Sequence, residues 1–187
     1  MPIKTLIALF IITSSLLSHS TLSATKGNAL MPFTLESKSF TQGGEIPTRF
    51  TCEGDNISPA LTWSGVPQNT KSLVLMVTDP DAPDPAAPKM TWIHWLLYNI
   101  PPSITELSEN FHPDKTIKEG KNDWHKTGYG GPCPPIGRHR YFFTLYALDI
   151  VLPDLKQPNK STLEKAMAEH IIDQAELIGT YQKKSWF

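Results

Sequence analysis

Three short stretches of the 187-residue chain hold most of the side chains able to do chemistry: "DPDAP" at 79–83, "WIHW" at 92–95 and "GYGGPCPPIGRHRY" at 128–141. They supply a carboxylate at Asp79, imidazoles at His94 and His139, a phenol at Tyr141 and backbone amides around Gly130 and Gly131. If these joints meet at one end of a sheet, their donors suit an oxyanion such as phosphate. A carboxylate beside a histidine orients the ring and favours its protonated, anion-binding form. Glycine lets amides approach an anion directly, and the flanking prolines hold the loop without adding competing donors.

Each piece alone has a plainer reading. A histidine on an apolar strand is commonly a satisfied core residue, and "DPDAP" is commonly just a turn. Two histidines and a carboxylate are also the ingredients of an iron or zinc site, but the close His-x-His pairing that would make this strong is absent. For nucleophilic catalysis there is no "GxSxG" elbow, Ser64 sits in the turn-like "TWSGVP", and Cys133 reads better as half of a disulfide. Asp79 and Asp81 as a glycosidase pair need not face one substrate, and Asp81 is expected to hold the turn. The enzyme alternative is a hydrolase using His94 or His139 against Asp79 as acid and base. A third class is a protease or kinase inhibitor acting through its surface. Nothing in the sequence implies a cofactor or a resident metal.

The elements that must position these residues are mainly strands. Runs rich in Val, Ile, Thr and aromatics recur as "FTLES", "PTRFT", "ALTWS", "SLVLMVT", "WIHWLLYNI" and "RYFFTLYALDI", bounded by Gly, Pro, Asn or Asp. That spacing predicts an antiparallel β-sandwich or barrel. The three longest runs are apolar at successive positions, so both of their faces should be covered. The prolines fall largely in the joints and make them rigid. Helix is expected near the end, where "STLEKAMAEHIIDQAELIGTYQKK" puts Leu163, Met167, Ile171, Gln174, Leu177, Ile178 and Tyr181 along one stripe. Ser161 and Glu164 would form its capping box, with Gly179, Lys183 and Lys184 marking the stop. The polar segment from His112 to Gly137 is long for a compact domain, and its Trp, Tyr and Cys favour an ordered, functional loop.

Length and composition bound the rest. At 40% hydrophobic and 19% charged residues, the chain reads as one globular domain, covering 30–187. Lys4 followed by "LIALFII" and a small-residue exit reads as a secretory signal over residues 1–24, cleaved somewhere in the 20–25 window. The apolar run is short of the roughly 20 residues a bilayer crossing needs, so no stable membrane insertion is expected. A formal net charge of −1 offers no broad positive field for nucleic acid. An even cysteine count in an exported chain makes a Cys52–Cys133 disulfide the leading reading, with two buried free thiols the other. The expected compartment is the periplasm or the extracellular space.

The order "SPALTWSGVP", "DPDAP" with "WIHW", "GYGGPCPPIGRHRYFFTLYALD" and "AELIGTY" resembles the phosphatidylethanolamine-binding protein family in its bacterial Raf-kinase-inhibitor-like branch. The likeness runs from about Phe33 to Tyr181. It implies a mainly β, two-sheet antiparallel sandwich with few helices, including a C-terminal one. It also implies a small pocket for phosphate, phosphorylated head groups or carboxylates, lined by Asp79, His94, Gly130, Gly131, Pro134, His139 and Tyr141. A cis bond at Ala82–Pro83 is expected on the same ground. A position where some relatives place a pocket tyrosine falls here near Lys89, which would add local positive charge. The implied role is a binding protein for a small anion or phosphorylated ligand, with inhibition or scaffolding of a protein partner as output.

Overall fold

A computed structural model describes residues 31–184, and the expected signal at 1–24 lies outside the described residues. Strands follow one another along the chain as β1 (Thr34–Glu36), β2 (Leu61–Ser64), β3 (Ser72–Ala82), β4 (Met90–Ile100), β5 (Glu106–Leu107), β6 (Lys118–Glu119), β7 (Arg138–Leu148) and β8 (Ile171–Gln182). One helix, α1 (Lys160–Met167), separates β7 from β8. The strands form a three-stranded sheet in the order β1-β2-β5 and a five-stranded sheet in the order β6-β4-β3-β7-β8. All their pairings are antiparallel, as the spacing of the apolar runs predicts.

The large sheet is buried on both faces. Leu73, Leu75 and Val77 of β3, Trp95 and Leu97 of β4, and Phe143 and Leu145 of β7 pack against Leu61 and Trp63 of the small sheet. On the opposite face Val74, Met76, Leu96 and Tyr98 pack under Leu163 and Met167 of α1. A strand with two covered faces has no use for alternation, which is why the central runs are apolar at successive positions.

Two expected elements differ. "PTRFT" forms a 3-10 turn at Thr48–Phe50 rather than a strand, with Phe50 N and Thr51 N donating to the carbonyls of Pro47 and Thr48. The expected long C-terminal helix stops at Met167, and Ile171–Gln182 is instead strand β8. Its burial at Ala175, Leu177, Gly179 and Tyr181 has period 2, the strand signature that competed with the helical stripe. Pairing along the whole length of β7 decides the outcome, because long-range strand pairing outweighs helix propensity here. Gly179 is not a helix stop: a Cβ there would sit 2.5 Å from Ile46 Cγ1 and 2.9 Å from Phe40 Cε2. The cap of α1 is also one the sequence reading missed, since Asn159 Oδ1 accepts from Thr162 N at 2.9 Å.

Cys52 and Cys133 form a disulfide with their Cα atoms 5.4 Å apart. It joins segments 81 residues apart and so restricts the unfolded chain strongly. Replacing both cysteines by serine should lower the unfolding free energy by about 2–4 kcal/mol in urea titrations. An unchanged midpoint would show that the bridge adds nothing to the fold. Gly179→Val should destabilise by about 1–3 kcal/mol through overpacking against Ile46, although strand propensity alone argues for a gain. The sign of the midpoint shift separates the two.

Candidate ligand-binding site

The site is built where β3, β4 and β7 reach the same end of the large sheet. Alternation along β3 continues from Leu73, Leu75 and Val77 to Asp79, all directed between the sheets. Along β7, Phe143 and Tyr141 lead in the same way to His139.

β4 reaches the site through an irregularity. Val77 pairs with Trp95 but Thr78 pairs with Ile93, so His94 is an extra residue opposite a regular stretch of β3. This bulge shifts the alternation by one position. Ile93 turns to the α1 side, while Trp95 stays between the sheets. A bulge of this kind re-aims a side chain, and here it frees His94 from the ladder. The odd "WIHW", with its histidine between bulky apolar neighbours, is thereby explained.

The cavity has a volume of about 300 Å³ and is lined by Asp79, Ala82, Pro83, Met90, Trp92, His94, Trp124, Cys133, Pro134, Pro135 and His139. Asp79, His94, Pro134 and His139 thus meet in one cavity wall. Lys89, expected to add charge, is exposed and outside this wall. Ala82–Pro83 is cis, as expected.

Gly130, Gly131 and Tyr141 stand behind the wall. Gly130 N donates to His94 O at 3.0 Å, and Gly131 N donates to Asn56 Oδ1 at 2.7 Å. Both amides are therefore spent within the protein, and the expected pair of anion-facing donors is not what these glycines provide. Their lack of a side chain serves close packing. A Cβ on Gly130 would lie 2.4 Å from Trp124 Cζ3, and one on Gly131 would lie 2.4 Å from Phe50 O. Tyr141 meets His94 edge-on at 5.2 Å between ring centroids and stacks along His139 at 6.5 Å. Its hydroxyl is buried without a hydrogen-bond partner, and burial pushes its pKa far up.

Of the two candidate histidines, it is His139 that takes the carboxylate. Asp79 Oδ2 lies 2.7 Å from His139 Nδ1, and Asp79 Oδ1 accepts from Asp81 N at 2.8 Å. His139 Nε2 lies 3.0 Å from Ile136 O, which can only accept, so that nitrogen carries a proton. Burial raises the Asp79 carboxyl above its ordinary value, against the lowering effect of its bonds from His139 and the Asp81 amide. Asp81 has a different role, binding the Arg140 guanidinium at 2.7 and 2.9 Å and the Arg140 amide at 2.9 Å. Those bonds hold its pKa below the usual value.

His94 is 2% exposed, and its Nδ1 lies 2.6 Å from Gly130 O. Its Nε2 is buried with no partner. Burial, the dominant cause, lowers its pKa to about 4, with the Gly130 bond opposing and nearby His139 adding to the shift. The ring is therefore neutral at physiological pH, contrary to the protonated form expected from sequence.

Sequence reasoning missed Trp92, Trp124 and Met90 as wall residues. Trp92 had a signal, lying on the same strand two positions from His94. Trp124 had none, because its place follows from the path of a long loop. This segment, expected to be ordered, is fixed by Tyr129 Oη donating to Phe50 O at 3.0 Å and by Cys52 N donating to Pro132 O at 3.0 Å. Among the described residues no three His, Cys, Asp or Glu side chains are placed to hold a metal ion together. Nor is any described helix long and apolar enough to cross a membrane.

Residues 36–182 match the family model for the phosphatidylethanolamine-binding protein. A UPF0098 protein of Methanothermobacter thermautotrophicus is 47% identical over 154 residues, covering 80% of this chain and 98% of the relative. The crystal structure of a phosphatidylethanolamine-binding protein homologue from Chlamydia trachomatis superposes with a TM-score of 0.75 at 44% identity, covering 81% of this chain and 98% of that one. YbcL of E. coli gives a TM-score of 0.73 at 33% identity, covering 81% and 99%.

The buried neutral His94 predicts a pH dependence of stability. In the unfolded chain this group binds its proton near pH 6.5, and in the fold near pH 4. Between these values the unfolded state holds more protons, so stability rises with pH and is lost as pH falls through this window. The contribution is about 2 kcal/mol between pH 8 and pH 5. Urea titrations should show this loss in the wild type and a correspondingly smaller one in His94→Phe, which cannot titrate.

Proposed function

The chain belongs to the phosphatidylethanolamine-binding protein family, and from that premise we propose a ligand-binding protein whose cavity takes the small oxygen-rich head of its ligand. Phosphate, a phosphorylated head group or a carboxylate fits this description. The observation that carries the reading is His94 Nε2, a buried polar atom without a partner on a residue that lines the cavity. Buried polar atoms in folded proteins are otherwise nearly always paired, so an unpaired one in a cavity wall calls for a ligand. The surrounding wall of Pro83, Met90, Trp92, Trp124, Pro134 and Pro135 is apolar, the usual make-up of a pocket with a few orienting polar groups.

The same geometry favours binding over hydrolysis. Both oxygens of Asp79 and both nitrogens of His139 are already engaged, which leaves no free acid–base couple opposite His94. Export to the periplasm or beyond accompanies this reading. The Cys52–Cys133 bridge supports it, because disulfides persist in oxidising compartments. Inhibition or scaffolding of a protein partner is its proposed output, with exposed Met90 and Trp124 at the cavity mouth available for contact.

NMR titration with inorganic phosphate and with phosphoethanolamine tests the proposal. Saturable shifts should centre on the indole N–H groups of Trp92 and Trp124 and the ring of His94, and His94→Phe should weaken binding at least tenfold. Absence of any saturable shift at millimolar ligand, or shifts confined to another face, would falsify it.

A further inference from the structure

The polar atoms around the cavity differ in the hydrogen-bonding role they leave open, and that role decides what a ligand must bring. A carbonyl oxygen accepts and never donates. The 2.6 Å contact between Gly130 O and His94 Nδ1 therefore keeps a proton on Nδ1 in either charge state of the ring. In the neutral ring Nε2 then carries a lone pair and has no partner, whereas Trp92 Nε1, also unpaired on a lining residue, can only donate. Such an acceptor opposes a bare anionic oxygen and favours an O–H.

No cationic side chain offsets this preference. Among the described residues no lysine or arginine lines the cavity. Arg140, next to His139 on β7, faces the other way and is bound to Asp81. The Asp79–His139 pair shares one proton between Oδ2 and Nδ1, with a second on Nε2, so the pair is neutral overall. The titratable groups around His94 are Asp79 from β3, and His139 and Tyr141 from β7. The loop after β6 contributes Trp124, Pro134 and the disulfide-bonded Cys133, none of which titrates, while its Asp123 is bound to the Ile93 amide.

Resting on the reading that the cavity takes an oxygen-rich head, we propose that His94 Nε2 makes the site selective for oxyacids that still carry a proton. A phosphate monoester binds as its monoanion, with its remaining O–H donating to Nε2, while a sulfate monoester of the same shape and charge is rejected for want of that proton. Burial keeps the lone pair available, since the ring stays neutral down to about pH 4. The second ionisation of a phosphate ester lies near pH 6. Above it, binding must take one proton from solution, and affinity falls about tenfold for each further pH unit.

Methyl phosphate and methyl sulfate are the matched probes, because at pH 5 both are monoanions and only the first has an O–H. Calorimetry at pH 5 should give methyl phosphate at least a tenfold tighter Kd. From pH 6.5 to pH 8.5 its affinity should fall about a hundredfold, and buffers of different ionisation heat should report an uptake approaching one proton at pH 8. His94→Phe should bring the two probes to equal, weak binding. Comparable wild-type affinities for both probes, without proton uptake, would overturn the selectivity while leaving the binding reading intact. If neither probe binds and phosphate also fails, the binding reading falls and this inference with it. Long-range proton–nitrogen NMR correlations on the wild type provide a check independent of any variant. At pH 7 they should show the Nδ1–H tautomer at His94, and an Nε2–H tautomer or an imidazolium would refute the proposal.

Discussion

The hydrogen bond between the Gly130 carbonyl and His94 Nδ1 is the contact on which the rest of the site depends. With the reverse bond from Gly130 N to His94 O, it clamps the long loop onto β4 at two points. The clamp selects the tautomer of the ring, and so the chemistry of the atom left open in the cavity wall. It also brings the backbone close enough for Trp124 to lie over Gly130 and meet His94 edge-on at 5.2 Å. A buried hydrogen bond contributes only about 1 kcal/mol net, but leaving one partner unsatisfied costs about 1–3 kcal/mol. The loop and the strand therefore hold each other in place, and the bridge at Cys133 ties the far side of the loop to the turn around Cys52.

What could be read from the sequence follows from the range of the forces involved. The central strands were legible because both of their faces are apolar, and Asp79, His94, Pro134 and His139 were legible because motif order places them at one sheet end. Strand β8 was not, because Leu163, Met167, Leu177 and Tyr181 fit a helical stripe as well as they fit α1 followed by a strand. Only the neighbour β7, about 30 positions earlier in the chain, distinguishes the two. The roles of Gly130 and Gly131 were misread for a related reason. A glycine suited to exposing its amide and a glycine making room for an indole or a carbonyl look alike until the neighbour is known. The motifs alone left open which histidine meets Asp79; the bulge and the β7 register give it to His139, and His94 is left without a carboxylate to hold its proton.

The two carboxylates of "DPDAP" show how two positions of separation decide an electrostatic role. Asp79 points between the sheets, where burial raises its pKa and a shared proton with His139 keeps the pair neutral. Asp81 meets the exposed Arg140, whose guanidinium and amide bonds lower its pKa and tie the end of β3 to β7 across their open ends. The inner pair keeps the cavity uncharged, and the outer pair fixes the strand ends that form it. A charged inner pair would face a steep desolvation cost in the same place.

The cavity consequently divides into a floor and a mouth of different construction. Its floor, His94 with the Asp79–His139 pair, stands on the eleven-residue strands β3, β4 and β7. Its mouth is built from loops and the first residue of β4, with Pro83 and Met90 on one side and Trp124 and Pro135 on the other. These loops also touch each other: Gly137, at a φ of +72°, leaves room for Pro85, whose Cγ would lie 2.9 Å from a Cβ there. Under the proposed ligand-binding role, a floor of fixed polarity constrains the head group, whereas an apolar mouth constrains only what that group is attached to.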